Sequence, residues 1–186
     1  MNPLRGRARK ACLLLALLGG ACWMANRIHV YQRAQSLLPP QLRTAGMERF
    51  GSEPGQFWQT VWAALPLRSQ SCGAVILRLS EATAQDIGQR RLGFFEHART
   101  ARSAQAAGGP VRYHHWQPSP LPSAWRDGID DKGLWNGLLC MRVDRELHGR
   151  LVAARGPGAY YAVREDRHGV LVVIPRHRLV VYSWWD

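Results

Sequence analysis

An uncharged, leucine-rich run, ACLLLALLGGACWMA over residues 11–25, opens the hydrophobic pattern, and Ile28, Val30 and Tyr31 extend it past Arg27. From residue 26 to about residue 43 the chain turns polar and mildly helical and is broken by Pro39-Pro40, the pattern of a stalk. Phe57, Val61, Trp62 and Leu65 then recur at helical spacing until Pro66, which predicts a short helix over 56–65. The β-branched, nearly uncharged run 74–79 (AVILRL) predicts a buried strand. Ser80 follows as the N-cap of a helix of about 20 residues over 81–103, with Ala84, Ile87, Phe94, Phe95, Ala98 and Ala101 on its apolar half.

Beyond Gly108-Gly109-Pro110, residues 111–116 predict a second strand with Val111, Tyr113 and His115 on one side. Residues 117–136 carry Pro118, Pro120, Pro122, Gly128 and Gly133, too many breakers for regular structure. Residues 138–143 predict another strand, and Asp144 caps a short helix through Arg155 with Leu147, Leu151 and Val152 inward and Gly156 at its end. Three β-rich runs, 159–164, 170–174 and 179–184, are separated by hairpin-length connections and predict a C-terminal antiparallel meander. The expected class is α+β: an N-terminal hydrophobic helix, then a mostly antiparallel sheet with one long amphipathic helix on one face and the three-strand meander last. The corresponding division is a basic segment over 1–10, a hydrophobic segment over 11–31, a stalk over 32–55 and a folded domain over 56–186.

Charge changes this picture at the N-terminus. The 186 residues carry 25 basic and 13 acidic groups, a formal net charge of +12. Residues 1–47 hold seven basic residues (Arg5, Arg7, Arg9, Lys10, Arg27, Arg33 and Arg43) and no acid, Glu48 being the first. The remainder has 18 basic and 13 acidic groups. The excess thus belongs in good part to the leader, which weakens a nucleic-acid reading based on net charge. Arg5, Arg7, Arg9 and Lys10 ahead of a leucine-rich run are the n-region and h-region of an export signal, and basic flanks stay cytoplasmic. The expected address is the inner membrane, single-pass through residues 11–31, with the body in the periplasm. Two other fates share the pattern. LGGAC resembles a bacterial lipoprotein box in part, with Gly19 where leucine normally stands, which makes Cys22 a lipidation candidate. Cleavage after Ala25 would give a secreted protein, against the bulk of Trp23 three positions back.

Candidate chemistry is sparse. With Cys12 and Cys22 in the hydrophobic segment, Cys72 and Cys140 remain as a disulfide pair in an oxidising compartment. Cys140 or a serine activated by His114 or His115 would make an envelope hydrolase, but no nucleophile signature surrounds either cysteine. Adjacent histidines on a strand point to opposite faces, and neither an H-x-x-x-H nor a C-x-x-C spacing occurs, so no metal or other cofactor is expected. Asp130-Asp131 and Glu165-Asp166 lie in loop and turn sequence without the apolar surroundings that tune an acid–base pair. Phosphate-loop and G-x-S-x-G motifs are absent. No catalytic residues are therefore assigned. Interaction candidates are Arg91, projecting from the apolar half of the predicted helix, and Trp116, Trp125 and Trp135, which bracket the proline-rich loop. Arg112, Arg142, Arg145 and Arg150 are the residues a nucleic-acid binder would use. The function expected is a membrane-tethered, non-catalytic interaction or accessory domain of a bacterial envelope, partnered by the membrane and another envelope protein.

Overall fold

The computed structural model describes residues 3–52, 72–102, 111–120, 137–138, 140–141 and 143–185. The helix predicted over 56–65 lies outside them, as do Trp125, Trp135 and Arg142. The chain divides into two units, Met1–Gln35 and Ser36–Asp186.

The first unit is a single helix, α1 (Pro3–Ser36). Its stretch Cys12–Ser36, 25 residues, is long and apolar enough to cross a membrane. At about 1.5 Å per residue it exceeds the roughly 30 Å hydrocarbon thickness of a bilayer. The uncharged run alone is too short for that. The helix gains its length by continuing through Arg27, whose guanidinium lies over the Trp23 ring, and through Arg33. Leu13, Leu14, Leu15, Leu17 and Leu18 are each more than 60% exposed.

The second unit is an α+β fold built on one six-stranded antiparallel sheet. Its strands are β1 (Thr44–Ser52), β2 (Gly73–Leu79), β3 (Gln117–Pro118), β4 (Tyr160–Val163), β5 (Gly169–Ile174) and β6 (Leu179–Trp184), in the order β1-β2-β6-β5-β4-β3. The C-terminal runs form the expected meander, Tyr160 opposite Val173 and Val170 opposite Ser183. β6 then pairs with β2 along six positions, from Gly73–Trp184 to Arg78–Leu179. Both faces of the central strands are buried, which is why AVIL in β2 and GVLVVI in β5 read as unbroken apolar runs. On one face Ala74, Ile76, Val172 and Val181 pack with Leu147 and Leu151 of α3 (Arg145–Val152) and with Leu138 and Met141. On the other, Phe95 packs against Tyr160 at 4.9 Å and against Trp116 at 4.3 Å.

Both predicted caps form. Ser80 Oγ accepts the Thr83 N–H at the start of α2 (Glu81–Arg90), and Asp144 Oδ1 accepts the Leu147 N–H at 2.8 Å at the start of α3. A 3₁₀ turn then carries α3 through Arg155, with Gly156 as its C-cap.

Four expectations are corrected. The long helix over 81–103 ends after ten residues at Arg91 (φ 51°, ψ −127°) and continues only as a 3₁₀ turn, Arg91–Phe95. Residues 99–101 take their hydrogen bonds from a neighbouring segment instead: Ala101 N–H donates to Val111 O and Tyr113 N–H to Arg99 O. The strand over 111–116 is reduced to two isolated bridges, Thr100–Arg112 and Tyr113–Arg164, because its two sides serve different partners. Among the described residues of 138–143 no strand forms. Met141 N–H closes a turn onto Leu138 O, and the spacing of three sends both side chains into the core together. Finally, the expected stalk over 32–55 is structured through its described residues, 32–52. Leu38 and Leu42 are fully buried and residues 44–52 form edge strand β1.

Candidate functional site

Two places in the domain concentrate specific chemistry. The first is the end of the sheet where β2 begins. Cys72, just before β2, is joined to Cys140 by a disulfide, with Cα atoms 5.8 Å apart and a sequence separation of 68. The segment carrying Cys140 crosses the sheet closely enough that side chains are excluded. A Cβ on Gly137 would overlap the Gly73 carbonyl oxygen and Ser183 Oγ, and one on Gly51 would overlap Met141. An ion pair between Glu48 of β1 and Arg150 of α3 joins the edge strand to the helix covering this face.

The second place is a knot of three irregular segments, 37–43, 97–102 and 111–116, held by side chains bonded to backbone. The fully buried Tyr113 donates its hydroxyl to Leu37 O at 2.6 Å, and Trp116 Nε1 donates to Ala98 O at 2.6 Å. The Arg102 guanidinium donates to Leu42 O at 2.6 Å while its amide donates to Leu38 O; Gln41 Nε2 donates to His97 O. Alongside lies a polar cluster in which Arg164 donates to the Tyr182 hydroxyl at 2.7 Å and pairs with Asp166. Burial, reinforced by Tyr182 and Asp166 and opposed by Arg164, pushes the Tyr113 pKa well above its ordinary value. Burial alone disfavours the Arg164 charge, but Tyr182 and Asp166 outweigh it and the net shift is upward.

No family model, curated protein or solved structure matches the chain. The geometry of its own residues therefore carries the functional reading.

The disulfide takes up the thiol that a Cys140 nucleophile would need, so the cysteine form of the hydrolase loses its reactive group. His114 and His115 are both exposed. Among the described residues no group of three or more His, Cys, Asp and Glu side chains is arranged to hold a metal ion. Trp116 is not a contact surface: it is 6% exposed, stacked on Phe95 and bonded to Ala98. Arg91 is exposed, but the chain has left the helix axis there, so it does not project from an apolar helical face. Cys22 is exposed on α1. Of the four arginines of the nucleic-acid reading, Arg150 is paired with Glu48, while Arg112 and Arg145 are exposed on different elements. Sequence reasoning missed Tyr113, Arg102 and Gln41. Their only signal is a polar or amphipathic side chain inside a segment with no regular periodicity.

Proposed function

We propose that the protein is a membrane-tethered domain of the bacterial envelope, anchored uncleaved by α1, with its body in the periplasm, acting by contact rather than by catalysis. The observation that carries this reading is the Cys72–Cys140 disulfide lying downstream of a helix long and apolar enough to span a bilayer. Disulfides persist in oxidising compartments, and a basic N-terminus ahead of an apolar helix favours translocation of the downstream chain. The interaction reading is supported by what the conspicuous polar side chains do. Tyr113, Trp116, Arg102 and Arg164 each bond to groups of the domain itself and so serve to hold its segments together.

A periplasm-active reporter fused to the C-terminus, combined with the intact mass of the mature chain, tests the reading. Reporter activity with an uncleaved, unlipidated mass is expected. A cytoplasmic body retires the proposal, and a mass showing cleavage after Ala25 or lipid on Cys22 replaces the anchor with secretion or lipidation.

A further inference from the structure

A tryptophan lies flat on the sheet at the end where β2 begins. Trp184 of β6 stands opposite Gly73 of β2 on one side and opposite Gly169 of β5 on the other. Directly opposed residues point to one face of a sheet, and both neighbours here are glycine. A Cβ on Gly73 would overlap Cζ2 and Cη2 of the Trp184 indole, so the ring lies across the β2 backbone where a side chain would stand. A Cβ on Gly169 would come within 2.8 Å of Arg164 Cδ and 3.1 Å of the Tyr182 hydroxyl. An indole seated on bare backbone turns its other π-face outward.

Two more rings continue the surface, beyond the single ring that shielding a glycine takes. Phe50 stands opposite Val75, which stands opposite Tyr182, so the three share the face of Trp184. The Phe50 ring centroid is 6.3 Å from that of Trp184 with an interplanar angle of 22°, and Tyr182 is 5.8 Å away at 21°. Atoms of rings stacked face on face stand about 3.5–4 Å apart, so these rings lie beside Trp184 instead of covering it. Phe50 is 39% exposed and Trp184 half-buried, while Tyr182 is buried with its hydroxyl bonded by Arg164. Arg164 also pairs with the exposed Asp166. An apolar plate of two accessible rings is thus edged by a guanidinium and a carboxylate whose charges cancel. Such an edge disfavours a lone cation or a lone anion and offers donors and acceptors to hydroxyl groups. A pyranose matches it, with one face of C–H groups and a rim of hydroxyls.

We propose that Phe50 and Trp184 form a platform for a neutral glycan, a β-1,4-linked chain of pyranoses lying across both rings, with Arg164 and Asp166 bonding its hydroxyls. A β-1,4 linkage keeps successive pyranoses in an extended flat ribbon, which suits neighbouring rings whose planes differ by 22°, whereas an α-1,4 linkage coils the chain. The proposal rests on the contact reading above and gives that contact its chemistry.

The test uses the full chain, labelled with fluorotryptophan, in micelles of a polyoxyethylene detergent, which carries no sugar. Trp184→Phe assigns the Trp184 resonance in the fluorine NMR spectrum. In the free chain a soluble gadolinium chelate is expected to broaden that resonance. Cellotetraose, which is β-1,4-linked, should shift it saturably and protect it from the chelate, whereas the α-1,4-linked maltotetraose should do neither. Phe50→Ala, at an exposed position, should weaken cellotetraose binding about fivefold through the loss of one ring. A Trp184 resonance that the chelate leaves sharp before sugar is added means that the chain itself covers the platform, and overturns the proposal. So does a resonance unmoved by cellotetraose, or moved equally by both sugars. A response to tetramethylammonium alone overturns it in favour of a cation. None of these outcomes touches the anchor or the side of the membrane, which the reporter fusion and the intact mass read separately.

Discussion

The two faces of the sheet are sealed by different physics. Over Ala74, Ile76, Val172 and Val181 lies a regular helix, α3, with Leu147 and Leu151 inward and its backbone bonds satisfied internally. Aliphatic burial is sufficient there, and the crossing segment at 137–141 is secured covalently through Cys140. Beside Phe95 and Trp116, which pack toward the opposite face, run the irregular segments 37–43, 97–102 and 111–116. Their carbonyls must be satisfied from outside, and Tyr113, Trp116, Arg102 and Gln41 each donate to one. Irregular cover demands particular side chains to satisfy its carbonyls, whereas α3 satisfies its own and needs an apolar stripe.

The sharpest way to break the contrast is on the irregular side. Phe95 is 2% exposed and central to contacts with Phe94, Trp116 and Tyr160, so Phe95→Ala should cost about 3–5 kcal/mol, measured by urea unfolding. A loss below about 1 kcal/mol would mean that the aromatic face is not a core. Next in size is the covalent clamp. Cys72→Ser/Cys140→Ser should cost about 2–4 kcal/mol, since the bridge closes a long loop in the unfolded chain. An unchanged midpoint would place the clamp outside the stability of the fold.

Tyr113→Phe should cost about 1 kcal/mol through the lost bond to Leu37 O. It should also change the alkaline limb of the stability curve. The folded hydroxyl is held well above the unfolded value of about 10. Its contribution is therefore complete below pH about 10 and is lost as pH rises through the folded pKa, because the unfolded chain releases its proton first. Unfolding followed from pH 8 to 11 should show the native protein losing more stability than the variant across that window. Parallel curves would contradict the burial of this hydroxyl. The smallest effect is a gain. Arg91 has a backbone conformation (φ 51°, ψ −127°) that suits glycine, so Arg91→Gly should raise stability by about 0.5–1 kcal/mol in the same assay.

The same contrast explains what could be read from the sequence. The meander, β2 and both helix caps announce themselves because each uses one local rule: β-branched runs, or an Asp or Ser ahead of a periodic stripe. β1 does not. TAGMERFGS has no alternation of period two, since register shifts between Thr44 and Gly46 and between Met47 and Arg49 insert extra residues. The end of α2 at Arg91 was equally hidden: the apolar positions continue at helical spacing to Ala101, and long-range bonds from Val111 and Tyr113 override them. The disulfide followed from counting cysteines. The knot at Leu37, Ala98 and Tyr113 joins residues up to 76 positions apart, and no local pattern encodes such a contact.

The measurement that bears most directly on the whole account is the thiol state of the chain in its own cells, trapped by alkylation before and after reduction and assigned by peptide mass. Chain in the membrane fraction, with Cys72 and Cys140 unmodified until a reductant is added, is the expected result. Recovery in the soluble fraction with both residues alkylated at once would contradict it.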